Sequence, residues 1–310
     1  MSTKSQKIGV MVKGAKQRAE LQSKKIKSVS KDIIEDPLGL FGIVILSIMV
    51  FLGAFGPQLA PYEPLTSVRA PDGTVERLSG PSLNHPMGTT QYGRDVFSQV
   101  ILGARVSLIV GFTASVMAVF IGTNVGLLSG YFGGVIESVL MRITDIAYGL
   151  PFLPFVIVFV VVMGPSLSTI IMAIVIIQWR ATARVIRSQV LTHKERPYVE
   201  AARASGAGNV RIMYMHILPN VLPLAFLYGA FAVAWAIIME ANASFLGFGD
   251  PDRISWGTMI FEAYNADVLH IAWWWVLPPG IMIMLFVMAV FFIARAIEES
   301  IHPSLRHRGQ

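Results

Sequence analysis

Two short runs carry the side chains best suited to grip another macromolecule: Glu200-Ala-Ala-Arg-Ala-Ser-Gly206 and, opening ten residues later, His216-Ile-Leu-Pro219-Asn220. They lie in a polar insert between long apolar segments. From His193 to Ser205 the residues favour helix, with Pro197 suited to the first turn and Gly206 and Gly208 able to end it in left-handed geometry. A second short helix is expected over about 209–216. The result would be two stubby helices with small Ala201 and Ala202 on the contact surface, seating in a groove on a partner. Glu200 and Arg203 could fix register, because charges contribute specificity more reliably than affinity. Composition alone favours an ordinary basic cytoplasmic loop; the pattern of the two runs is what points to a coupling element.

Covalent chemistry finds no comparable footing. The six histidines are scattered through loops and ends, and no H-E-x-x-H pattern occurs. Ser47, Ser107 and Ser115 have no histidine at comparable depth. Cysteine is absent, which excludes disulfides and thiolate metal sites. No G-x-x-x-x-G-K-[ST] stretch is present to cradle ATP phosphates, so any ATP used must be bound, with its Mg, by another subunit.

Hydropathy dictates what must position the insert. The chain is 54% hydrophobic and 14% charged, against about a quarter charged in soluble domains. Charge-free blocks run 37–62, 106–136, 146–179, 212–239 and 268–294. About 20 apolar residues span a bilayer, so four blocks each hold one helix. Gly164-Pro165-Ser166 divides the 146–179 block into two. Six transmembrane helices are therefore expected, at about 38–58, 103–129, 136–162, 167–189, 219–247 and 271–296, in an all-α integral membrane protein.

Nine of the 25 Lys and Arg residues precede Asp36, and seven more fall between Arg180 and Arg211. Positive charge gathers on the cytoplasmic side, placing both termini and the insert inside and removing any need for nucleic acid. Residues 1–36 read as a basic cytoplasmic tail and 301–310 as a second. The apolar stretch after Leu38 is too long for a signal-peptide core, so it is expected to remain as the first span.

The division along the chain is expected as 37–98 for the first helix and an external segment, then 99–300 for a core of five helices with the insert at 190–217. In the external part, Pro71-Asp-Gly-Thr74 predicts the turn of a small β-hairpin. Glycines 111, 122, 126 and 130 would let helices approach closely in lipid. Trp273, Trp274 and Trp275 would mark the headgroup boundary. Asp145 is expected to pair with Arg142 on its own helix. Glu240, Asn242 and Asn124 are candidates for a substrate path. Glu240, about 31 Å beyond Pro219 at ~1.5 Å per residue, falls at a hydrated outer boundary and could line a gate or cap structure equally.

Several strings coincide with one family: Asp36-Pro-Leu-Gly-Leu-Phe-Gly42, His85-Pro-Met-Gly-Thr89, Gly93-Arg-Asp95, Gly130-Tyr-Phe-Gly-Gly134, the polar insert, Glu240-Ala-x-x-Ser-Phe-Leu-Gly-Phe-Gly249 and His302-Pro-Ser-Leu-Arg306. Over about 36–305 the chain resembles the C-type permease of the dipeptide/oligopeptide (and nickel) ABC importers. The resemblance implies a type I importer fold in a prokaryotic inner membrane. It implies a second homologous permease, two ATPase subunits carrying the ATP, and an extracytoplasmic solute-binding protein. It implies ATPase coupling through Tyr198, Glu200, Ala201, Ala202, Arg203, Gly206, His216, Pro219 and Asn220. Cargo would be di- or oligopeptides, with oligosaccharides or nickel chelates as alternatives and an ion-driven secondary transporter as the remote one.

Overall fold

The computed structural model describes residues 33–301; the two expected basic tails lie wholly or mostly outside them. Helix α1 (Pro37–Leu59) starts where Asp36 accepts a 2.8 Å hydrogen bond from the Gly39 amide and Pro37 opens the first turn. Helix α2 (Val96–Phe132) is longer than its apolar block predicts, because Asp95 caps it upstream through the Ser98 amide. At 37 residues and ~1.5 Å each, it is about 55 Å long and carries the chain from the external segment to the polar insert.

Small residues form the seam between α2 and α5 (Leu167–Lys194). A Cβ on Gly126 would stand 2.7 Å from the Ala183 carbonyl oxygen, and one on Gly130 2.8 Å from Val190 Cβ. The expected close approach is thus present, one glycine per turn. Without a hydrophobic contrast between lipid and side chains, such backbone contact is a main source of helix association.

The third expected span is not a single helix. Helix α3 (Gly134–Gly149) and helix α4 (Phe152–Met163) meet at 90°. Pro151 lacks an amide proton and forces Leu150 to extended backbone (ψ 117°), which ends α3. The 12 residues of α4 are about 18 Å long, shorter than a hydrocarbon core of ~30 Å. Among the described residues five helices can cross a membrane by length and composition, and six if this bent pair counts as one. The turn at Gly164-Pro165-Ser166 forms as expected, with Ser166 capping α5.

Asp145 reaches Arg184 of α5 at 2.7 Å instead of Arg142, and Glu137 pairs with Arg187. The polar face of α3 therefore lies against the C-terminal half of α5, while Val135, Val139 and Ile146 are exposed.

After α6 (Pro197–Ala204), the expected short helix at 209–216 is instead the first part of one continuous run, α7 (Asn209–Phe248). A π-helical turn, Ile212–Ile217, replaces the expected break. Pro219 would crowd the carbonyl four residues back; the wider turn just upstream makes room for it. A second π turn, Ser244–Phe248, ends the run.

In the segment between α1 and α2 the reversal at Pro71–Thr74 is present, but its ladder is a single bridge between Arg69 and Val75, with no strand among the described residues. Helix α8 (Trp256–Asn265), capped by Ser255 and Thr258, and α9 (Trp273–Ile301) complete the fold. Only Trp273 keeps the exposure expected of a boundary indole. Trp274 donates to the Thr89 carbonyl, and Trp275 is fully buried. Successive residues turn about 100° on a helix, so three adjacent indoles cannot share one surface.

Candidate functional site

The polar insert projects from one end of the bundle as a knob on an apolar root. Val199 of α6 is buried with Val190 of α5 and Ile212, Ile217 and Val221 of α7. Helix α6 closes on a Schellman turn: the Gly206 amide donates to Arg203 at 2.9 Å and the Ala207 amide to Ala202 at 3.1 Å. Gly206 has φ +79°, which a side chain would strain; Gly208, expected to be similar, is extended.

Polar bonds hold the knob against its neighbours. The Tyr198 hydroxyl lies 3.0 Å from His193 Nδ1 and accepts from Asn220 Nδ2 at 3.5 Å. Burial pushes the Tyr198 phenol above its ordinary range, which keeps its proton in place. Asn220 donates to the His216 carbonyl at 2.6 Å. Tyr131, at the end of α2, donates to Asn209 at 2.9 Å.

Between α6 and the first turns of α7 lies an open groove of about 680 Å³. Of the nine insert residues singled out above, Tyr198, Ala201, Ala202, Gly206, His216, Pro219 and Asn220 all line it, although they come from two separate runs. Glu200 and Arg203 do not. They are exposed on the opposite side of α6, so the nine residues divide between two sides of the helix. Ser205, Ala207, Arg211 and Met215 complete the lining. Ser205 belongs to the first run, whereas no pattern in the sequence marks Ala207, Arg211 or Met215; Arg211 immediately precedes the π turn and Met215 lies within it.

The three path candidates do not converge. Asn124 accepts a 2.7 Å hydrogen bond from Tyr214 and donates to the Phe120 carbonyl, which makes it part of the knob's attachment. Asn242 is half-buried near the C-terminal end of α7. Glu240 is 1% exposed, so the hydrated outer boundary expected for it is not what surrounds it. Ser244 donates to it at 2.7 Å, and Ser107 of α2 lies 3.5 Å away. This carboxyl joins α2 to α7 and faces no open space in the chain. Among the described residues no group of three or more His, Asp or Glu side chains could hold a metal.

Residues 122–303, which contain the knob and its groove, match the family described as "Binding-protein-dependent transport system inner membrane component". The chain belongs to that family. As a binding-protein-dependent permease it has close relatives over most of its length. It is 36% identical over 273 residues to the dipeptide transport system permease protein DppC of Bacillus subtilis, covering 88% of this chain and 83% of that one. DppC of Alkalihalophilus pseudofirmus is 34% identical, with 89% of each chain covered. The oligopeptide transport system permease protein OppC of Bacillus subtilis is 34% identical, over 93% and 94%. The permease also shares its fold with a chain of the MetNI methionine ABC transporter in an inward-facing conformation, at a TM-score of 0.53 and 17% identity, covering 65% of this chain and 96% of that one. The permease is thus a multi-pass membrane subunit of the type I ABC importer fold.

Proposed function

We propose that the permease forms half of a translocation pathway for di- or oligopeptides, paired with a second homologous permease, and is driven by two ATPase subunits that seat on the α6 knob. One observation carries the coupling role: residues of two separate runs, Tyr198, Ala201 and Gly206 with Pro219 and Asn220, meet on a single open groove. The peptide cargo is supported by the dipeptide and oligopeptide permeases that the chain resembles. A binding protein would deliver cargo at the opposite end, where the external segment lies.

The permease itself would carry out no covalent chemistry; ATP and Mg belong to the partner subunits. The concentration of Lys and Arg before Asp36 and between Arg180 and Arg211 supports a cytoplasmic knob and cytoplasmic termini in a prokaryotic inner membrane. Movement of the knob would pass into α2 through Tyr131 and Tyr214, and into α5 and α7 through the apolar root.

The test uses the permease pair and cognate ATPase in vesicles. Gly206→Trp, which strains the turn at φ +79°, and Glu200→Lys should each reduce co-purification of the ATPase and peptide uptake while leaving membrane insertion intact. Normal association and normal uptake in both variants would rule the coupling role out.

A further inference from the structure

We propose that the groove between α6 and α7 receives, from the ATPase subunit, an apolar side chain next to a carboxylate, so that the knob is clasped on two faces. The inference rests on the reading that α6 seats the ATPase. It adds what the receiving protein must insert, and where.

The two faces of α6 follow from helical geometry. Val199 points into the apolar root. Tyr198, Ala201, Ala202 and Ser205 lie on the groove side, and Glu200 and Arg203 on the other. A partner that only cupped the knob's charged side would leave the groove empty. Eight residues make little more than two turns, and one face of so short a helix offers far less than the ~800 Å² per partner of a stable interface. Filling the groove adds the second face.

The lining states the chemistry of what fills it. Ala201, Ala202, Gly206, Ala207 and Pro219 give a small, nonionic surface with Met215, 64% exposed, beside them, and Tyr198, Ser205, His216 and Asn220 add polar groups. A thioether left open to solvent suits an apolar side chain, since it can repack around varied shapes. At about 680 Å³ the open groove has ample room for a large aliphatic or aromatic side chain together with the carboxylate beside it. At the rim stands Arg211, exposed and without an ion pair among the described residues. An acidic group beside the apolar one would complement it, improving orientation more than raw affinity.

The arrangement has a mechanical consequence. A helix supported on one side can only be pushed by its partner. Held on both sides, it follows the partner in both directions, as a cycle of opening and closing requires. Because the groove's second wall is the start of α7, a residue seated there would act on that helix directly.

The chain has no cysteine, so single reactive sites can be placed cleanly. In the assembled complex of both permeases and the cognate ATPase, Arg211→Lys should form a zero-length amide to an ATPase Asp or Glu on carbodiimide treatment, and Arg211→Gln should not. Arg211→Glu should weaken ATPase association about tenfold, and Lys at the mapped acidic position should restore it. Ala201→Cys with a short bis-maleimide, against cysteines placed on the ATPase surface, reports separately whether the knob is seated. If Ala201→Cys couples to the ATPase while Arg211→Lys does not and Arg211→Glu binds normally, the acidic insertion is overturned and the coupling reading stands. Should Arg211→Lys couple to the second permease or to another copy of this chain, the occupant is that protein and the proposal fails. If Ala201→Cys and Arg211→Lys both miss the ATPase and Glu200→Lys associates normally, the coupling reading itself falls.

Discussion

The Tyr214 hydroxyl donates a 2.7 Å hydrogen bond to Asn124 Oδ1, joining the π turn at the base of the knob to the last third of α2 across 90 residues of chain. Asn124 is also tied to its own helix through the Phe120 carbonyl. Under the proposed coupling role, displacement of the knob would act on α2 through a directional bond as well as through packing. Tyr214→Phe removes that bond and leaves the ring. A net loss of about 1 kcal/mol is expected. ATP hydrolysis by the assembled complex should continue while peptide uptake per ATP falls; an unchanged uptake-to-hydrolysis ratio would show that the bond transmits nothing.

The α2–α5 seam tolerates no bulk. Gly126→Leu would drive a side chain into the Ala183 carbonyl, which a helix backbone cannot yield. We expect a cost of about 3 kcal/mol or more and loss of the monodisperse detergent-solubilised protein, whereas Gly229→Ala, with only Val119 Cγ2 at 3.7 Å, should behave as wild type. Size-exclusion profiles and thermal melts of the two variants distinguish these outcomes.

Glu240 has hydroxyl partners and no cation beside it in the hydrogen-bond pattern, so its volume and bonding capacity matter more than its charge. Glu240→Gln should fold and transport. Glu240→Ala leaves buried Ser244 and Ser107 without this partner and should cost about 1–3 kcal/mol. If the Gln variant melts as low as the Ala variant, the carboxylate charge is essential after all.

Just ahead of α2, Arg94 donates to Glu262 of α8 at 3.0 Å. Burial raises the Glu262 pKa above the ordinary carboxylate range, and Arg94 opposes the rise without cancelling it. The folded state then holds this proton more tightly than the unfolded state. The contribution to stability is complete below the unfolded value and is lost as pH rises through the folded one. The wild type should melt higher in mild acid than at neutral pH on this account, and Glu262→Gln should lose that part of the slope. Identical slopes in the two proteins would refute it.

Local chemistry was legible residue by residue. Pro37 and Asp36 announce the start of α1, Gly164-Pro165-Ser166 the turn before α5, and Pro197 with Gly206 both ends of the knob helix. At Pro151 the same chemistry is masked, because Leu150 and Pro151 lie inside an uncharged block. Hydropathy counts such a block as one span although the backbone breaks there. The residues of the groove were half legible. Tyr198 and Asn220 belong to the marked runs, but Arg211 and Met215 depend on the π turn, which no side-chain pattern signals.

By itself the amino-acid sequence determined the class of molecule, the number of apolar segments and the position of the knob, since run length, proline and glycine act over a few residues. Tertiary structure alone decided which side of each helix meets which neighbour: Asp145 with Arg184, Tyr214 with Asn124, Trp275 inward and Trp273 outward. The reason is physical. In a membrane the lipid-facing and protein-facing sides of a helix are both apolar, so hydropathy has little contrast around its axis. Orientation is then set by close packing between helices distant in the chain.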